Sequence, residues 1–138
     1  MRINGPGFFF RNNPNKINNA VRLVKGCTSL GKGYVMTVFK FVGTGAYKNY
    51  VVRTNNAIQG FAVIRGNRNN LHVETIATNK RQGIGRLLMN RIRNDAKKAG
   101  YKSLKVNSNV SAVNFYKKMG FVVTNSNSNT VSMKKTLE

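Results

Sequence analysis

Acidic residues are almost missing from this chain. Glu74, Asp95 and Glu138 are its only carboxylate side chains, against 24 lysines and arginines. The formal charge of +21 exceeds what a solvated surface needs and implies either a polyanionic partner, such as RNA or a protein bound to nucleic acid, or a particular solvent condition. An asparagine- and lysine-rich composition of the kind an A/T-rich coding sequence produces accounts for part of the lysine. It does not account for the shortage of Asp and Glu. Three carboxylates, one histidine and one cysteine supply too few ligands for a usual metal centre, so no metal is expected. Cys27 stands alone, which excludes an internal disulfide and fits a reducing, cytoplasmic interior. No run of about 18 apolar residues is present, so no membrane-spanning helix is expected. The segment Met1–Asn13 lacks an apolar stretch long enough for a signal peptide.

What remains fits one domain over residues 1–138, since 41% hydrophobic content gives a chain of this length a modest core. Phe8–Arg11 reads as a first strand between the turn-formers Gly5-Pro6-Gly7 and Asn13-Pro14. From Pro14, apolar residues at Ile17, Ala20, Val21 and Val24 recur at helical spacing until Gly26. Residues 34–42 suit a helix by spacing and a strand by their β-branched and aromatic content. Tyr50–Arg53, Ala57–Arg65 and Leu71–Thr78, separated by turn residues, read as an antiparallel meander. Leu137-Glu138 has no pattern of its own and could be a cloning scar.

The stretch Lys80-Arg81-Gln82-Gly83-Ile84-Gly85 follows the third of these strands and opens a helix to Ala99, with Ile84, Leu88, Ile92 and Ala96 one turn apart. Glycines let the backbone turn tightly here, and the first helical turn leaves N–H groups without intrahelical partners. Those donors and the positive end of the helix dipole favour a phosphate or pyrophosphate, with Lys80, Arg81 and Arg86 adding charge. Beyond Gly100, Ser103–Asn107 reads as a strand. Asn109 to Phe121 (NVSAVNFYKKMGF) then reads as a helix over Val110–Met119, from a capping asparagine to a terminal glycine. Phe121–Thr124 and Thr130–Lys134 close the chain as a hairpin.

Together these two segments resemble the GNAT superfamily of acetyl-CoA-dependent N-acetyltransferases. That family's pattern is Arg/Gln-x-x-Gly-x-Gly/Ala, a strand, then Asn-x-x-Ala-x-x-Phe-Tyr-x-x-x-Gly-Phe. Lys80 stands where Arg or Gln is usual, and the second half matches at each fixed position from Asn109 to Phe121. The resemblance covers about residues 71–135. It implies an α/β (α+β) fold, a mixed and mainly antiparallel central sheet flanked by helices on both faces, with a short helix at 34–42. It also implies that acetyl-CoA, as co-substrate, lies in a cleft where the strands at 71–78 and 103–107 splay apart. Lys80, Arg81, Gln82, Gly83, Ile84, Gly85 and Arg86 would hold its pyrophosphate, mainly through backbone N–H groups. Ile76 and Thr78 would offer backbone groups to the pantetheine arm, and Asn109 would either bond that arm or cap the helix.

Acetyl transfer requires a neutral amine acceptor, a stabilised oxyanion and a proton for the departing thiolate. At pH 7, deprotonating a lysine-like amine costs about 4.6 kcal/mol and an α-amine about 1 kcal/mol. Glu74 is the one carboxylate in the strand leading to the glycine loop. It reads either as the base or as an ion-pair partner among many cations. Strict alternation places it on one face with His72 and Ile76, and His72 reads as a proton relay or a structural histidine. Tyr116 is the candidate acid, since a phenol is protonated at pH 7. The alternative is a core stripe with Ala112, Phe115 and Met119. The resemblance implies that the Tyr116 hydroxyl points at the coenzyme sulfur. A non-catalytic, basic nucleic-acid-binding module on the same scaffold is the competing function, because fold alone does not set function.

Overall fold

The computed structural model of the chain describes residues 2–7, 48–54, 57–78, 83–127 and 130–138. Within them, seven strands form one sheet: β1 (Arg2–Gly7), β2 (Lys48–Thr54), β3 (Ala57–Asn67), β4 (Asn70–Thr78), β5 (Ser103–Asn109), β6 (Val122–Ser126) and β7 (Thr130–Thr136). Their spatial order is β1-β2-β3-β4-β5-β7-β6. Neighbours pair antiparallel except β4 and β5, which run parallel. A parallel pair needs a crossover, and helix α1 (Ile84–Lys98) provides it. A 3-10 turn at Val110–Ala112 and the short helix α2 (Val113–Lys118) follow β5. The expected mixed, mainly antiparallel sheet is therefore present. The helices read at 14–26 and 34–42 lie outside the described residues.

The core follows from the two periodicities. Ile84, Leu88, Met89, Ile92 and Ala96 form the buried stripe of α1. They pack with Tyr50, Val52, Ala62, Ile64, Leu71, Val73, Leu104, Val106 and Met133, side chains from one face of the sheet. Tyr116 of α2 and Phe121 join the same cluster, so α1 and α2 share that face. Truncating one of the larger side chains here to alanine would cost about 2–5 kcal/mol. Val51, Phe61 and Val63, on the opposite face, are also fully buried.

Three local features depart from the sequence reading. First, Arg2–Gly7 is a strand, which the sequence reading leaves out; the Phe8–Arg11 strand it expects lies outside the described residues. Gly5-Pro6-Gly7 reads as a turn, but β1 is an edge strand, where a missing proline N–H sacrifices no ladder bond. Its register with β2 shifts between Asn4 and Gly7. Second, Asp95 is more than an exposed partner of Arg91. It accepts from Arg91 Nε at 2.9 Å and from the buried Tyr50 hydroxyl at 2.8 Å, while Arg91 Nη2 donates to the Gly5 carbonyl at 3.1 Å. Burial and the Asp95 hydrogen bond push the Tyr50 hydroxyl well above its ordinary range. Third, Leu137 donates its N–H to the Lys102 carbonyl at 2.8 Å and packs on the core.

Candidate active site

The α1 N-terminus has the geometry its glycines imply. Gly83, at the N-cap, has φ 64° and ψ 22°, the left-handed conformation in which a side chain is strained. Among the described residues, no side chain caps the helix and none stands within 4 Å of where a Gly83 Cβ would be. Outward-facing N–H groups at Ile84, Gly85 and Arg86 are thus presented to whatever approaches. Ile84 contributes only backbone there, because its side chain is fully buried. Arg86 is exposed. Lys80, Arg81 and Gln82 lie outside the described residues.

Gly85 serves a different purpose. A Cβ on it would lie 3.3 Å from the Phe115 ring and 3.8 Å from Thr78 Oγ1. The missing side chain lets α2 seat its phenylalanine on the first turn of α1, beside the end of β4. Phe115 stacks edge-on against Tyr116, with ring centroids 5.1 Å apart, and Tyr116 edge-on against Phe121 at 5.5 Å. Tyr116 is the more buried of the Phe115–Tyr116 pair. Burial pushes the Tyr116 hydroxyl up to about 12. Asn109 ends β5 immediately before the 3-10 turn. The N-cap of α2 itself is Ala112, which makes no side-chain cap.

The β4–β5 ladder runs from Asn70↔Ser103 to Val73↔Val106, whereas β4 continues to Thr78 and β5 to Asn109 without further pairing between these two strands. The backbone of Glu74–Thr78 therefore faces an opening on its β5 side, with the α1 N-terminus and α2 close to its far end. Ile76 and Thr78 lie along this opening.

A β-bulge corrects the alternation expected of β4. Val63 pairs with Thr75, and the next β3 residue, Ile64, pairs with Val73, so Glu74 is the extra residue. The bulge flips the strand. Ile76 packs towards the α1 face, while a Cβ on Gly60 would meet Thr78 Cγ2 and Ile84 Cγ2 together. His72 and Glu74 remain on the other face and line one cavity of about 420 Å³ with Lys105, Asn107, Thr124, Ser132 and Lys134. Sequence reasoning missed Lys105 and Lys134, because only the strand register brings them beside His72.

Arg65 Nε donates to Glu74 Oε1 at 3.1 Å. Both side chains are partly exposed, at 35% and 23%, so the pair contributes only about 0–1 kcal/mol. Burial, then the positive charge of Arg65, lowers the His72 pKa from 6.5. Lys105 acts in the same direction and Glu74 opposes them. Because the folded pKa is depressed, the unfolded chain binds the imidazole proton more readily. The contribution of His72 to stability is then present above pH 6.5 and lost as pH falls below it. The urea midpoint should drop between pH 7.5 and 5, and His72→Gln should flatten that part of the profile. An unchanged profile in the variant would show that His72 is not the group responsible.

The sequence matches the Acetyltransferase (GNAT) domain family over residues 35–136. No curated protein matches in sequence. Among solved structures, the ribosomal-protein-S18-alanine N-acetyltransferase of Escherichia coli is similar, with a TM-score of 0.79 at 16% identity over 99% of this chain and 94% of that one. GCN5 from Tetrahymena gives 0.75 at 16% identity, covering 91% and 89%. The PaiA N-acetyltransferase from Thermoplasma acidophilum, in complex with coenzyme A, gives 0.72 at 14% identity, covering 99% of both chains. At these identities the likeness concerns the fold. With the family match spanning most of the sequence, the chain belongs to the GNAT acetyltransferase family.

Proposed function

We propose that this protein is an acetyl-CoA-dependent N-acetyltransferase that moves the acetyl group to a primary amine by direct attack. The observation that carries the reading is the β4–β5 ladder's end at Val73↔Val106, open beside a helix N-terminus without a side-chain cap. The pyrophosphate would take backbone donors at Gly83, Ile84, Gly85 and Arg86, with Lys80, Arg81 and Gln82 preceding them. The pantetheine arm would run in the opening along Ile76 and Thr78, with Asn109 across from it. The thioester would then lie near Tyr116, and the amine would enter from the Glu74 face.

The amine nitrogen attacks the thioester carbon, and collapse of the tetrahedral oxyanion breaks the C–S bond. Tyr116 donates a hydrogen bond or its proton to the leaving sulfur. A phenol held at about 12 is a weak acid, but a thiolate in the same dry surroundings is also made more basic. Burial raises both partners and keeps the transfer feasible. Glu74, directly or through water, accepts the amine proton, and Arg65 holds its carboxylate in place. GNAT membership and a coenzyme A complex of a protein with this fold support the reading.

The test is calorimetry with acetyl-CoA, followed by mass spectrometry of products from amines, peptides and aminoacyl-RNA. Saturable coenzyme binding and an acetylated product are expected. Failure to bind acetyl-CoA, together with salt-sensitive retention on a phosphate-rich resin, would instead favour a nucleic-acid-binding module on this scaffold.

A further inference from the structure

The strand register builds a charge row of which the acetyl-transfer chemistry uses only Arg65, as the partner of Glu74. Arg65 of β3 stands opposite His72 of β4, His72 opposite Lys105 of β5, and Lys105 opposite Lys134 of β7. Directly paired residues share a face, so these four side chains form one line across four strands. At about 4.8 Å between strands it spans about 14 Å. Like charges directly opposite are destabilising in a sheet, and Lys105 and Lys134 are such a pair. With His72 neutral, Arg65, Lys105 and Lys134 bring three positive charges against the single negative charge of Glu74. Two positive charges remain in excess at the cavity.

We propose that this row binds a phosphate group carried by the amine acceptor, so that the preferred substrate is a phosphorylated amine. The inference rests on the acetyltransferase reading of the adjoining cleft. A phosphate monoester carries about −1.5 to −2 at pH 7 and balances the excess; a carboxylate would leave part of it uncompensated. The cavity supplies matching donors. Ser132 donates to Asn107 Oδ1 at 2.9 Å, which fixes the amide with its NH2 group as the remaining donor. The Lys105 and Lys134 ammonium groups complete the donor set, and Thr124, whose hydroxyl donates to the Ser132 carbonyl at 3.2 Å, lines the rim beside them. The row lies one residue from the ladder's end, and a residue rises about 3.3 Å along a strand. An amine two carbons from its phosphate would therefore reach the opening while the phosphate stays on the row.

His72 is the chain's only histidine, and among the described residues Arg65, Glu74, Lys105 and Lys134 are the charged groups around it. Its imidazole C2–H proton signal is a direct probe. In the protein without acetyl-CoA, phosphoethanolamine at fixed ionic strength should raise the His72 midpoint by about half a unit or more, since a bound dianion favours the imidazolium. Ethanolamine should not. The Lys105→Ala/Lys134→Ala double variant should lose the shift, and its folding is not endangered, because it removes a repulsive pair. An unmoved His72 signal overturns the phosphate site, whether or not acetyl-CoA binds. With acetyl-CoA, kcat/KM for phosphoethanolamine should exceed that for ethanolamine about tenfold or more, as charge-assisted contacts allow. The ratio should fall in the double variant. Equal turnover of the two amines overturns the inference and leaves the acetyltransferase reading intact. A normal His72 shift without acetylation of any amine would leave the phosphate site standing and remove the acetyltransferase reading.

Discussion

Tyr116→Phe should lower turnover about 10²–10⁴-fold, the range for losing a general acid, while acetyl-CoA affinity and fold stay close to normal. The substitution removes one oxygen from a ring that Phe115 and Phe121 hold edge-on from two sides. The ring positions are set by those contacts and by the Gly85 gap that admits Phe115, so the phenylalanine should occupy the same site. The wild-type profile gives a second check. With the hydroxyl at about 12, loss of its proton should not depress kcat anywhere below about pH 10. Full activity in the variant, or a decline centred near pH 9 that the variant abolishes, would each contradict this assignment. The first would make Tyr116 a packing residue, and the second would require a far more acidic phenol.

Gly83→Glu should weaken acetyl-CoA binding about 10- to 100-fold. Two effects combine. A carboxylate placed in the open space before the helix repels the pyrophosphate and competes for the same backbone N–H groups, a loss of about 1.4–2.8 kcal/mol in affinity terms. The left-handed backbone adds about 1–2 kcal/mol of strain for a residue with a Cβ, which falls on the stability of the whole fold. Gly83→Asn separates the two, since asparagine tolerates this conformation and carries no charge. It should retain affinity within a few-fold. Calorimetry on the folded variants decides the matter, and wild-type affinity in Gly83→Glu would remove the phosphate role from this turn.

Much of this architecture was readable in advance because it is periodic. The α1 stripe from Ile84 to Ala96 came through with its boundaries nearly intact, since every fourth position is apolar and the flanks are glycines. The glycine loop and the Asn109–Phe121 segment were legible as motifs for the same reason: each depends on local residue types at fixed spacing. What escaped depended on partners far along the chain. The bulge at Glu74 is invisible in β4 alone, because it exists only relative to β3, and it moves Ile76 to the opposite face from His72. Asp95 and Arg91, four apart on one helix, are visible as a pair in sequence, whereas the Tyr50 hydroxyl that joins them comes from a strand 45 positions away. β1 was missed because its Gly-Pro-Gly residues are turn-formers whose cost disappears at a sheet edge. The site shared this division: the glycine turn at the α1 N-terminus could be read from sequence, whereas the Arg65–His72–Lys105–Lys134 row is a product of register.

The Asp95 cluster also bears on how quickly the fold comes apart. Tyr50 and Asp95 are 45 positions apart in sequence, and Arg91 and Gly5 are 86 apart. Closing a loop of the longer kind costs about 4 kcal/mol of chain entropy before any constant is added. A hydrogen bond from a charged group returns only about 1.5–3 kcal/mol. The Arg91–Gly5 contact therefore cannot nucleate anything. It forms after β2, β3 and α1 have already assembled around Tyr50, and it fastens an irregular strand that, among the described residues, pairs only with β2. Interactions absent from the folding transition state act on the rate of unfolding. This late contact is a brake on the native state's escape, and its influence is on how long the folded protein lasts rather than on how fast it forms.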